Sequence, residues 1–149
     1  MKELIEAQCD GKIFLYNMQG RKRMDLQEFY YACEGNYQDV KARLIKEELI
    51  QRLVIKFLDD DTYEKLLRAM EQKDYGMAFR MVHTLKGLSR NFAFDRLSES
   101  TSALTELLRK WESEPVDEEK CEQLWQQVSI DYRIVANAIC RLKGAEKND

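Results

Sequence analysis

The sequence predicts an all-α protein, an antiparallel four-helix bundle with extra helical material on its N-terminal side. Three observations point there. The 149 residues contain one proline, Pro115, and six glycines, so helix breakers are scarce. From Asp25 onward apolar residues recur in steps of three and four. With 44% apolar residues the chain is long enough to bury one core as a single domain.

Residues 1–24 are read as an N-terminal extension that carries some helix and packs on the main body. Within it Ile13 to Tyr16 form an apolar run too short to assign by period. The bundle itself is placed at residues 25–142. Residues 25–34 read as a short helix ended by Gly35, and residues 37–57 as a long one. The seam of its second half is Leu49, Ile50, Leu53, Val54 and Phe57, whereas Val40, Leu44 and Ile45 face differently. Asp59, Asp60 and Asp61 follow. Carboxylates that hold magnesium in a receiver domain stand on buried parallel strands, and no β-branched strand runs are present to carry these. N-capping of a helix at 62–73, with Tyr63, Leu66, Leu67 and Met70 on its apolar face, is the reading retained. Asp74 caps a helix from 75 to about 92, and another runs from Asp95 to Trp111, with Leu97, Leu104, Leu107, Leu108 and Trp111 inward. The last helix, from Asp117 to Leu142, has a seam of Cys121, Leu124, Trp125, Val128, Tyr132, Val135, Ile139 and Leu142. Helices 37–57, 75–92, 95–112 and 117–142 are the expected bundle members. Residues 143–149, ending in GAEKND, are expected to form a mobile tail.

Composition excludes several classes of function. The net charge is −3 and the basic residues are scattered apart from Arg21, Lys22 and Arg23, which argues against nucleic acid. No apolar run approaches the ~20 residues of a membrane span, and the N-terminus lacks the layout of a signal peptide. Cys9, Cys33, Cys121 and Cys140 form no CxxC pair, so reduced thiols and a cytoplasmic setting are expected. One histidine and dispersed cysteines give no metal-ligand spacing.

The informative stretch is FRMVHTLKGLSRNFAF, residues 79–94. It holds the only histidine, His83, and no acid. On a helix that turns about 100° per residue, Met81, Leu85, Leu88 and Phe92 fall opposite His83, with Ala78 beside them. The imidazole is therefore expected to face solvent. Gly87, Gly76 and Arg90 share its face, Arg80 and Lys86 flank it, and Phe79 borders it. A glycine in a helix costs about 1 kcal/mol relative to alanine, so two beside one imidazole suggest that bulk is unwelcome there. Residues 75–94 carry a charge of +3 in a chain of −3, a local field that favours an anion. A neutral imidazole has a free lone pair and can act as a nucleophile. On geometry alone two readings stand: phosphoryl capture on a ring nitrogen, with Lys86 and Arg90 neutralising the oxygens, or a surface histidine that lies among basic residues.

The pentapeptide His83-Thr84-Leu85-Lys86-Gly87 resembles the phosphoacceptor signature of histidine-containing phosphotransfer (HPt) domains. The likeness extends over roughly residues 37–112, through LLRAMEQKD, AFRMVHTLKGLSRNFAF and the amphipathic helix that follows. The resemblance implies that His83 is the phosphorylated residue, that Lys86 steadies the phosphate, and that Gly87 admits the partner. Gly76, Phe79, Arg80 and Arg90 are the residues expected to meet that partner. It further implies a phosphocarrier of two-component signal transduction rather than an enzyme, moving a phosphohistidine's phosphoryl group between receiver-domain aspartates. The implied partners are response regulator receiver domains or a hybrid sensor kinase. No cofactor is expected on this chain, because magnesium would sit on the receiver, and a monomer is expected. Two alternatives are a helical adaptor that is never phosphorylated and the phosphoacceptor module of a chemotaxis-type kinase. The chain departs from the family pattern at Leu88 and Arg90, where small residues are usual, and at Ala93, where glycine is. Leu88 is expected to alter only packing, and Arg90 to bear on partner identity.

Overall fold

The computed structural model describes the chain from Met24 to Lys147, with side chains to Gly144, together with the backbone of Leu4–Cys9 (β1) and Lys12–Asn17 (β2). Seven helices follow the strands: α1 (Leu26–Ala32), α2 (Tyr37–Leu44), α3 (Glu47–Lys56), α4 (Thr62–Glu71), α5 (Tyr75–Asn91), α6 (Asp95–Leu108) and α7 (Glu118–Lys147), with a 3-10 turn at Phe57–Asp59 between α3 and α4. The helical bundle is as expected. The N-terminal extension differs, since its described part is an antiparallel hairpin rather than helix. Leu4 pairs with Asn17 and Cys9 with Lys12, and β2 lies along α7. The last helix continues to Lys147, beyond the expected start of the tail at residue 143; residues 148–149 lie outside the described residues.

Most helix starts follow from short polar side chains. Asp25 accepts from Glu28 N–H at 2.8 Å, Asn36 from Asp39 N–H at 3.0 Å, Asp74 from Met77 N–H at 3.1 Å, and Asp117 from Lys120 N–H at 3.1 Å. In the aspartate cluster the capping oxygen comes from Asp60, which accepts from Thr62 N–H at 2.8 Å. The helix ends are less orthodox. Glu34, Lys73 and Ala93 take the left-handed conformation, with φ of 54°, 54° and 56°. After each, an N–H closes back across the final turn: Gly35 to Tyr30 O, Asp74 to Ala69 O and Phe94 to Ser89 O, at 2.9, 2.8 and 2.9 Å. Gly35 has a different task. A Cβ on it would lie 2.7 Å from Ala93 O and 2.7 Å from the Tyr30 ring. That close approach lets Asn36 N–H reach Ala93 O at 2.7 Å and ties the α1–α2 link to the α5–α6 turn.

The expected helix 37–57 is broken. Ile45 has φ 64° and ψ −54°, and Lys46 N–H donates to Leu44 O at 2.6 Å, a γ-turn on an exposed β-branched residue. The turn explains why the two halves of the segment present different apolar faces. Left-handed strain of this kind costs on the order of 1–3 kcal/mol. Ile45→Gly is accordingly expected to raise stability by about 1 kcal/mol, the extra freedom of unfolded glycine offsetting part of the relief, and urea titration would measure it.

Four helices make the bundle. Successive helices α4, α5, α6 and α7 pack on one another, and α4 reaches α7 through Tyr63, whose ring stacks on Tyr132 at 3.8 Å and on Trp125 at 5.6 Å. The fourth member beside α5 is therefore α4, not the 37–57 segment; α3 packs against α7 and buries Ile50 and Val54. The α7 seam is buried as expected at Cys121, Trp125, Val128, Tyr132, Val135, Ile139 and Leu142, with Leu124 half-buried. Trp111 departs from expectation: α6 ends at Leu108, and Trp111 in the following turn remains 39% exposed. Asp131, almost wholly buried on α7, accepts from Arg96 Nε at 3.0 Å and Gln127 Nε2 at 2.9 Å, which satisfies its charge.

Candidate functional site

Helix α5 carries the site because one stripe of it is small and apolar. Gly76, Ala78, Val82, Leu85 and Ser89 are buried, while Met81, Leu88 and Phe92 are only half-buried along its margin. The core pole thus lies nearer Val82 and Ser89 than the larger apolar residues indicated. Ser89 tolerates burial by donating its hydroxyl to Leu85 O at 2.8 Å. The rotation leaves the imidazole outward. His83 is exposed and makes no hydrogen bond or ion pair with any described residue. Its ring instead lies near-parallel to the ring of Phe79, 6.1 Å between centroids and 20° between planes.

The other expected residues divide into two groups. Arg80, Gly87 and Arg90 are exposed and Lys86 and Phe79 are half-exposed, so these five are accessible on the helix that carries the imidazole. A Cβ added to Gly87 would meet nothing within 4 Å. Gly76 does not belong with them, since it is buried. A Cβ there would lie 2.8 Å from the Trp111 ring, so this glycine admits an indole of the same chain rather than a partner. The two glycines should therefore respond oppositely to alanine. Gly87→Ala gains helix propensity, about 1 kcal/mol, without a packing penalty, whereas Gly76→Ala must displace Trp111 and lose stability; urea midpoints moving in the same direction would contradict this.

A neighbouring helix contributes groups that the local sequence did not reveal. At the end of α6 the Arg109 guanidinium lies over the Phe79 ring, 5.7 Å from its centroid. Glu106 holds Arg109 through two hydrogen bonds, 3.1 Å from Nε and 2.8 Å from Nη2. Those bonds pull the Glu106 carboxyl below its ordinary range, and Lys86 adds to the pull. The acid-free face of α5 is thus bordered by one acid from α6. No signal on the α5 wheel could have found Arg109 or Glu106, because both depend on how α6 ends. At the other end of the face, Arg43 of α2 donates to Arg90 O at 3.0 Å. Thr84, beside His83, donates its hydroxyl to Arg80 O at 3.0 Å.

This arrangement offers an unengaged ring nitrogen, a lysine one helical turn away and an open approach. It can accept an electrophile delivered from outside. Among the described residues no cluster of histidine, cysteine and carboxylate could hold a metal ion, and no helix is long and apolar enough to cross a membrane. No curated protein and no solved structure matches the chain. A family model does: the Hpt domain, over residues 48–137, more than half of the chain.

Proposed function

The chain belongs to the Hpt domain family, whose members serve as histidine phosphotransfer modules in phosphorelays, and we propose that His83 is its phosphoacceptor, carrying a phosphoryl group between receiver-domain aspartates. The observation that carries this reading is the exposed, unpaired imidazole of His83 beside the open position at Gly87. In the step, a ring nitrogen attacks the phosphorus of an aspartyl phosphate. The N–P bond forms as the bond from phosphorus to the carboxylate oxygen breaks, the carboxylate leaves with the electron pair, and the other ring nitrogen keeps its proton. Reversal hands the group to a second receiver. Lys86 balances the charge of the phosphoryl oxygens, and Arg80 and Arg90 attract an acidic docking face. Gly87 lets that face approach the ring. Magnesium in this reading belongs to the receiver, and the chain acts as a phosphocarrier.

The test is incubation with a panel of phosphorylated receiver domains. Acid-labile, base-stable label should move onto the protein. Failure of every receiver to transfer, with label arriving only from a kinase domain charged with ATP, would instead assign the chain to a chemotaxis-type kinase system.

A further inference from the structure

Phe79 neighbours two groups, the His83 imidazole with 6.1 Å between ring centroids and the Arg109 guanidinium 5.7 Å from the Phe79 ring centroid. The guanidinium is itself fixed by Glu106 through two hydrogen bonds. His83 has no polar partner among the described residues, its one ring contact is Phe79, and an imidazole left unrestrained would spend much of its time turned away from an incoming phosphorus. We propose that Glu106, Arg109 and Phe79 form a positioning relay that sets the orientation of the His83 imidazole for phosphoryl transfer.

The inference rests on His83 being the phosphoacceptor. Its physical basis is additive contact across a flat stack. The intrinsically planar guanidinium covers the ring, the Glu106 carboxylate restrains its position through two hydrogen bonds, and the phenyl face then offers a defined surface to the imidazole. The length of the relay also explains why it joins two helices: Phe79 and His83 lie one turn apart on α5, and Arg109 and Glu106 at the end of α6. Arg109 is a positioning residue here and makes no contact with the reacting atoms. Because it acts through Phe79, its effect must vanish when the aromatic ring is absent.

The test uses the whole protein with one phosphorylated receiver as donor, and four proteins: wild type, Phe79→Leu, Arg109→Ala and the double variant. Phe79→Leu keeps most of the apolar volume at a half-buried position and removes the ring, so folding should be preserved. Transfer should slow roughly fivefold to tenfold in Phe79→Leu and about threefold to fivefold in Arg109→Ala, while the double variant should be no slower than Phe79→Leu alone. The imidazole carbon-bound protons, followed by NMR without any donor, should shift in both single variants, and Arg109→Ala should shift nothing further in the Phe79→Leu background. Multiplicative rate losses in the double variant, or imidazole resonances that do not move in Arg109→Ala, overturn the relay. A wild-type protein that takes no label overturns the phosphoacceptor assignment instead, and the NMR arm still decides whether the ring is oriented by this stack.

Discussion

His83→Gln is expected to abolish phosphoryl acceptance while leaving the fold unchanged. The imidazole is exposed and stacks on Phe79 alone, so its removal opens no cavity and strands no buried polar group. Glutamine is at least as good a helix former as histidine. The urea midpoint should therefore stay within the ~0.5 kcal/mol typical of surface changes. The chemistry, in contrast, has no substitute. His83 is the only histidine in the chain, and a carboxamide nitrogen has no lone pair available for attack on phosphorus. Two of the three described cysteines offer no alternative, since Cys33 and Cys121 are buried and burial raises their thiol pKa values to about 12 and about 11, and label on any thiol would lack the acid lability of a phosphorus–nitrogen bond. Label should fall from full level to background. Retention of full acid-labile label by the variant would remove His83 as the acceptor.

The contrast between what the sequence disclosed and what it hid has a common cause. Helices whose stripe is continuous were legible: the α7 seam is buried almost as read, and the exposed position of His83 followed from the α5 wheel. The wheel erred on the opposite pole because it weighed size. Helix α5 packs closely on α4 and α6, and at such distances Ala78, Val82 and Ser89 fit where Met81 and Leu88 do not. The N-terminal hairpin did have a local signal in the sequence, the turn-favouring dipeptide Asp10-Gly11 shortly before the apolar run Ile13 to Tyr16. The break at Ile45 had none, because a β-branched residue is the last expected in a γ-turn. Helix ends were blurred for the same reason: the left-handed positions are Glu34, Lys73 and Ala93, and none is glycine. Gly35, one residue late, and Gly76, beneath Trp111, are glycines selected by approach of distant groups, which only the fold can show.

Phe94→Ala is the complementary case, with a large expected loss of stability and little change in the chemistry of each folded molecule. Phe94 is wholly buried and touches four other rings: Phe29, Tyr30, Phe57 and Phe92, at centroid distances of 5.8, 5.8, 5.4 and 5.5 Å. These belong to α1, the 3-10 turn and the C-terminal end of α5. The cluster therefore binds α1, which precedes the family match at residue 48, to the helix that bears His83. Tyr30 secures the same junction by donating its hydroxyl to Phe92 O at 2.7 Å, and burial raises its pKa far enough to keep that proton in place. Deleting a ring at the centre of such a cluster costs about 3–5 kcal/mol, a large part of the ~5–15 kcal/mol that holds a domain folded. Phe94→Leu, which fills most of the volume, should cost less than half as much and remain measurable if the alanine variant does not fold. In either variant the loss falls at the end of α5, more than two turns from His83, so label accepted per folded molecule should stay near the wild-type level. An unchanged urea midpoint in Phe94→Ala would mean that α1 and the end of α5 are held by contacts other than this cluster. A loss of labelling larger than the loss of folded protein would mean that the cluster also sets the angle at which α5 presents its imidazole.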